Sequence, residues 1–138
     1  MPAFEIIEHT ADIGIRAFGD TEAEVFENAA TGMFSLICDL EKINQAVSYA
    51  VEVEAEDRET LLVEWLNELL YLYESREVLL TSFKVNSIGD NSLSGMAYGE
   101  PIDRGRHDMM TDIKAATYHM LKVMKTSTGW TAEVIFDV

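Results

Sequence analysis

The stretch Val47–Ser75, VSYAVEVEAEDRETLLVEWLNELLYLYES, changes its hydrophobic period once, and that change decides the fold. Through residue 55 the period is two. Val47, Tyr49, Val51, Val53 and Ala55 face one way while Ser48, Glu52 and Glu54 face the other, as in a strand with one buried side. From about residue 58 to 75, Leu61, Leu62, Trp65, Leu66, Leu69, Leu70 and Tyr73 recur at steps of three and four. That spacing predicts a helix with one broad apolar face. Glu64 and Glu68, one turn apart, read as its solvated side.

Working outward, Leu80–Ile88 and Leu93–Tyr98 flank a turn signal beginning Gly89-Asp90-Asn91 and read as a hairpin. Upstream, Thr21-Glu22-Ala23-Glu24 has capping-box spacing, with Thr21 as N-cap and Glu24 reaching back. The apolar stripe Val25, Phe26, Ala29, Ala30, Met33, Phe34 and Ile37 makes a second helix. Residues 4–8 and 13–18 are short β-type runs, joined by a tight connection over His9-Thr10-Ala11-Asp12. At the other end Trp130, Ala132, Val134 and Phe136 alternate with Thr131, Glu133, Ile135 and Asp137, a clear strand. Lys114–Lys125 fits either period, and Thr117-Tyr118 with the Ser127-Thr128-Gly129 turn favours a hairpin with that last strand. Residues 99–112, GEPIDRGRHDMMTD, read as a long polar loop of the kind that often carries function. The expected fold is α+β: a two-layer sandwich, its sheet mixed or antiparallel with two main helices on one face, in one domain over residues 1–138.

Composition narrows the functions. Hydrophobic residues make up 48% and charged residues 25% of the chain, the profile of a globular protein. Ten Lys and Arg against 25 Asp and Glu give a net charge of −15. Such a surface repels phosphate backbones, so direct, extended nucleic-acid binding is not expected, whereas cations or a basic protein partner are favoured. Cys38 is the single cysteine, which excludes an internal disulfide and multi-thiolate zinc, and its apolar neighbours predict a buried thiol. No basic leader and no apolar run of membrane-spanning length is seen, so a cytoplasmic protein is expected.

Two aspartates sit where a hard cation would find oxygen ligands. Asp12 opens a strand beside Gly14, and Asp137 closes the last strand one residue before Val138. If those strands are neighbours, two carboxylates and the chain end share a small volume. No EF-hand, P-loop, nucleophile elbow or His-Glu-x-x-His pattern occurs. His9, His107 and His119 are isolated in sequence. Lys114, amid Asp112, Ile113 and Ala115, is placed to neutralise a carboxylate site or meet a phosphate.

Five segments in order resemble the archease family: His9–Gly14, Trp65–Leu70, Gly99–His107, Lys114–His119 and Phe136–Val138. Archeases are accessory proteins of the RtcB-type RNA ligase of tRNA splicing and RNA repair. The resemblance implies a non-enzymatic activator that promotes the ligase's guanylylation and turnover and broadens its nucleotide use. It implies a divalent cation, seen as calcium in the family, held by Asp12, Asp137 and Val138; magnesium and manganese suit the same ligands. His9, His107, Asp112, Lys114 and His119 are then expected at the partner contact or around the ion. The family often has Glu where this chain has Asp112, and the shorter acid alters reach. The alternatives are an autonomous metal-dependent phosphoester hydrolase using Asp12, Asp137 and His9, and a general acidic chaperone-like module.

Overall fold

The computed structural model describes residues 3–9 and 12–138, with the His9 side chain outside the described part. The expected Thr10-Ala11 connection falls outside the described residues. Strands β1 (Phe4–His9) and β2 (Asp12–Gly19) precede helix α1 (Glu22–Ile37). Strand β3 (Val47–Glu54) leads into helix α2 (Arg58–Arg76). The rest is strand: β4 (Val78–Ile88), β5 (Ser92–Pro101), β6 (Ala115–Ala116), β7 (Lys122–Thr126) and β8 (Gly129–Asp137). The α+β architecture with two helices and antiparallel pairing is as expected. The strands divide over two sheets, one of five strands running β1-β2-β8-β6 with β7 also on β8, the other β3-β5-β4.

Both helices start on the caps that their sequences call for. Thr21 Oγ1 accepts the Glu24 N–H at 3.1 Å, and Asp57 Oδ1 accepts the Thr60 N–H at 2.8 Å. Every residue of the predicted α1 stripe is buried, as are Leu61, Leu62, Trp65, Leu66, Leu69 and Leu70 of α2. The α1 stripe packs on β1, β2 and β8 and reaches β4, while α2 lies against β3, β4 and β5 and reaches β6 and β7. The helices thereby join the two sheets through one continuous core. Trp65 Nε1 donates to the Phe26 carbonyl at 3.0 Å, which satisfies the buried indole N–H and ties α2 to α1.

Three expectations need correction. Gly99, Glu100 and Pro101 belong to β5, so the loop begins only at residue 102. The expected hairpin with the last strand forms, β7 pairing β8 from Lys122 opposite Glu133 to Thr126 opposite Gly129. But the strand does not extend back through residues 113–121: β6 has two residues, and β7 starts after a bend in which Met120 adopts φ 55°. Of the capping box, the Thr21 half is made; the return bond from the Glu24 side chain is not among the described hydrogen bonds.

Candidate carboxylate site

The last strand's neighbour is β2, and β1 lies beyond it at the sheet edge. Pairing runs from Gly19 opposite Trp130 to Ile13 opposite Phe136, so the next step in register sets Asp12 across from Asp137. Gly14 permits this approach, because a Cβ there would run into the Val134 carbonyl oxygen and lie 2.8 Å from Ile135 Cδ1. On the other flank β6 pairs Ala115 with Asp137, and the Lys114 N–H donates to the Asp137 carbonyl at 2.8 Å. The end of β8 is thus held from both sides.

Asp12 and Asp137 line one open depression of about 430 Å³ together with Ala115, Thr117, His119, Ile135 and Phe136. Both aspartates are exposed, and among the described residues neither carboxylate has an ion pair or a side-chain hydrogen bond. Val138 follows, 50% exposed. No group of three or more His, Cys, Asp or Glu side chains stands at metal-holding distance among the described residues. The donors to hand are therefore two carboxylates without a counter-charge among the described residues and main-chain oxygens, an oxygen set that fits a hard cation rather than zinc.

The wall of this depression is fixed by hydrogen bonds that the sequence does not advertise. Thr117 Oγ1 donates to the Ile135 carbonyl at 2.8 Å and accepts the His119 N–H at 3.3 Å, which turns the chain and brings His119 to the rim. Asn67, on α2, accepts the Ala116 N–H through Oδ1 at 2.8 Å and donates to its carbonyl through Nδ2 at 3.4 Å. A side-chain amide here stands in for a missing strand. The clue was a lone Asn inside an apolar helical face, between Leu66 and Leu69.

The other candidates fall elsewhere. Lys114 shares its backbone with the site, but its side chain lines a separate depression of about 510 Å³ with Tyr73, Glu74, Glu77, Ile102, Arg104, Asp112 and Ile113. There Asp112 Oδ1 accepts the Tyr73 hydroxyl at 3.2 Å. Burial and then the Asp112 charge push the Tyr73 phenol up to about 12. His107 was expected at a partner contact, and the structure buries it at 4% exposure. Its Nδ1 accepts the Asp103 N–H at 2.9 Å, and its Nε2 lies 3.5 Å from Glu100 Oε2. Glu100, itself buried, also pairs with Arg106 and accepts the Asn44 N–H. His107 therefore anchors the loop from inside. His9 faces Asp12 through its backbone register. Cys38 is buried as expected, and burial raises its thiol to about 11.

Fold and site define a small antiparallel α+β protein with an open carboxylate pair at the strand ends that has no counter-charge among the described residues. Residues 4–138 match the Archease protein family (MTH1598/TM1083), and the chain belongs to the archease family. It is 45% identical to protein archease of Methanosarcina mazei over 139 residues, covering 98% of this chain and 95% of that one. It is 42% identical to protein archease of Pyrococcus furiosus, with both chains covered in full. The solution structure of protein 1598 of Methanobacterium thermoautotrophicum superposes with a TM-score of 0.85 at 37% identity over the whole of both chains. A crystal structure from Thermotoga maritima, described as an archease and possible chaperone, shares the fold at a TM-score of 0.67 and 24% identity, over 96% of this chain and 94% of that one.

Proposed function

We propose that this chain is a metal-binding accessory protein of an RtcB-type RNA ligase, acting on the ligase's guanylylation rather than on RNA itself. One observation carries the reading: Asp12 and Asp137 share one depression with no counter-charge from any described residue. Two exposed like charges side by side repel, and a divalent cation relieves that repulsion. Asp12, Asp137 and Val138 would hold it, calcium being the first choice. A bound divalent ion would supply Lewis-acid stabilisation of phosphoryl oxygens. The chain's own residues bind and orient. Asp12 and Asp137 set the ion at the exposed strand ends, Asn67 and Thr117 keep the wall in place, and His119 stands at the rim.

The charge of −15 suits a basic protein surface and disfavours RNA. Lys114 and Asp112, which line the separate depression just before Ala115, extend the contact on that side. The deciding experiment is ligase guanylylation with and without the protein, across calcium, magnesium and manganese. Asp12→Ala and Asp137→Ala should each lose the stimulation. Full stimulation by either variant would sink the reading, and hydrolysis of phosphoesters by the protein alone would replace it with autonomous catalysis.

A further inference from the structure

Strand β1 ends the five-stranded sheet and pairs only with β2 among the described residues. The register is unbroken from Phe4 opposite Ala17 to His9 opposite Asp12. The Phe18 N–H donates to the Ala3 carbonyl at 2.9 Å. Antiparallel alternation then turns the backbone of Glu5, Ile7 and His9 toward β2 and that of Phe4, Ile6 and Glu8 toward the open edge.

Sheets ordinarily blunt such an edge with Lys, Pro, a bulge or a cover. Strand β4 does so here: it has two register shifts, and the Glu27 carboxylate accepts the Val85 N–H at 2.8 Å. The open edge strand β3 presents Ser48, Ala50, Glu52 and Glu54 and has no large exposed apolar side chain. Strand β1 has neither Lys, Pro nor bulge, and Ile6 at its centre is 52% exposed.

We propose that β1 is a docking edge that takes an extended cationic segment of a partner protein as an added strand. Main-chain pairing to Phe4, Ile6 and Glu8 supplies affinity, and alternating side chains supply selectivity. Exposed Glu5 and Glu8 lie on opposite faces of the strand, and Glu5 is shared with Arg16 at 3.4 Å. Basic residues of the added segment therefore meet chiefly the Glu8 carboxylate, on the face of Ile6, while apolar ones cover Ile6. A second copy of this chain is the poorer occupant, since it brings another charge of −15 to the edge. The far end of β1 pairs His9 with Asp12, so the added segment leads to the carboxylate depression. This last link rests on the reading that the chain works on a partner protein.

The test needs no ligase. A short alternating Lys-Val peptide is titrated into the intact protein and amide exchange is followed residue by residue, with a Glu-Val peptide as control. At about ten times its Kd the Lys-Val peptide should slow exchange of the Phe4, Ile6 and Glu8 amides about tenfold, and added salt should reverse the slowing. Ile6→Pro removes one outward N–H and no bond to β2, and should abolish the effect while the Ile15 and Val134 amides stay protected. Ile6→Lys, which keeps the backbone, should weaken it. Unchanged edge amides, equal slowing by the Glu-Val peptide, or slowing caused by raising the concentration of this chain alone would each overturn the proposal. Asp12→Ala should bind the peptide as the parent does, so a failed metal site and a failed docking edge give different results.

Discussion

The Asn67 carboxamide meets both backbone groups of Ala116, accepting its N–H at 2.8 Å and donating to its carbonyl at 3.4 Å. Asn67→Ala should leave a buried N–H without a partner and cost about 1–3 kcal/mol in denaturant unfolding. The Ala116 amide should also exchange faster, because the side chain that takes the place of a neighbouring strand is gone. Asn67→Asp keeps the acceptor and loses the donor, so its cost should be the smaller of the two.

Gly14 should tolerate no side chain. A Cβ at that position meets the Val134 carbonyl and Ile135 inside the β2–β8 ladder. Gly14→Ala therefore has to separate the two strands that carry Asp12 and Asp137, at a cost of about 1–3 kcal/mol or more. If the variant unfolds at the parent's denaturant midpoint, the close approach is not what holds the strand ends together.

The Tyr73 phenol should titrate late. Burial and the Asp112 carboxylate raise it from 10.0 to about 12 in the folded chain, while the unfolded chain releases this proton at the ordinary tyrosine pKa. The folded state therefore gains most below pH 10.0, and that contribution is lost as pH rises toward about 12. Absorbance titration of the five tyrosines should show a late component that Tyr73→Phe removes, and the variant's stability should fall less over this interval.

The alternating strands and both helices were legible because their signal is local: a period of two or of 3.6 is written into neighbouring residues. Val51 and Phe34 are buried just where those periods put them. The distribution of strands over two sheets was not legible, since it depends on pairings such as Gly19 with Trp130 that no local pattern encodes. Residues 113–121 misled for a related reason. They carry apolar residues at both periods, yet Asn67 and Asp137 fix Ala115-Ala116 from outside and the chain then turns through Met120. At the candidate site Asp12 and Asp137 could be picked out as acids at strand ends. His107 was misplaced because a polar loop gives no sign that Glu100 lies buried beneath it.

Calcium should stabilise the folded protein with the logarithm of its concentration above Kd, by about 2.7 kcal/mol at 100 times its Kd, and chelation should reverse the gain. Asp137→Asn should remove most of this increment while leaving the ion-free stability unchanged or slightly raised, since it relieves repulsion with Asp12. An increment that survives both Asp12→Asn and Asp137→Asn would place the ion elsewhere.

Glu100 is the hub of the loop that leads to Asp112 and Lys114. Its carboxylate pairs with Arg106, accepts the Asn44 N–H and faces His107 Nε2 at 3.5 Å. With Nδ1 accepting the Asp103 N–H, a neutral His107 ring carries its proton on Nε2, which is buried and makes no hydrogen bond among the described residues. Glu100→Gln keeps an acceptor for Asn44 but removes the charge that holds Arg106. It should cost about 1–3 kcal/mol and speed exchange at His107, whose N–H bonds to the Asp103 carbonyl at 2.7 Å. The Asn67–Ala116 bonds do not pass through this hub, so the Ala116 amide should stay protected; equal loss at both places would mean that the loop and the carboxylate site fold as one unit.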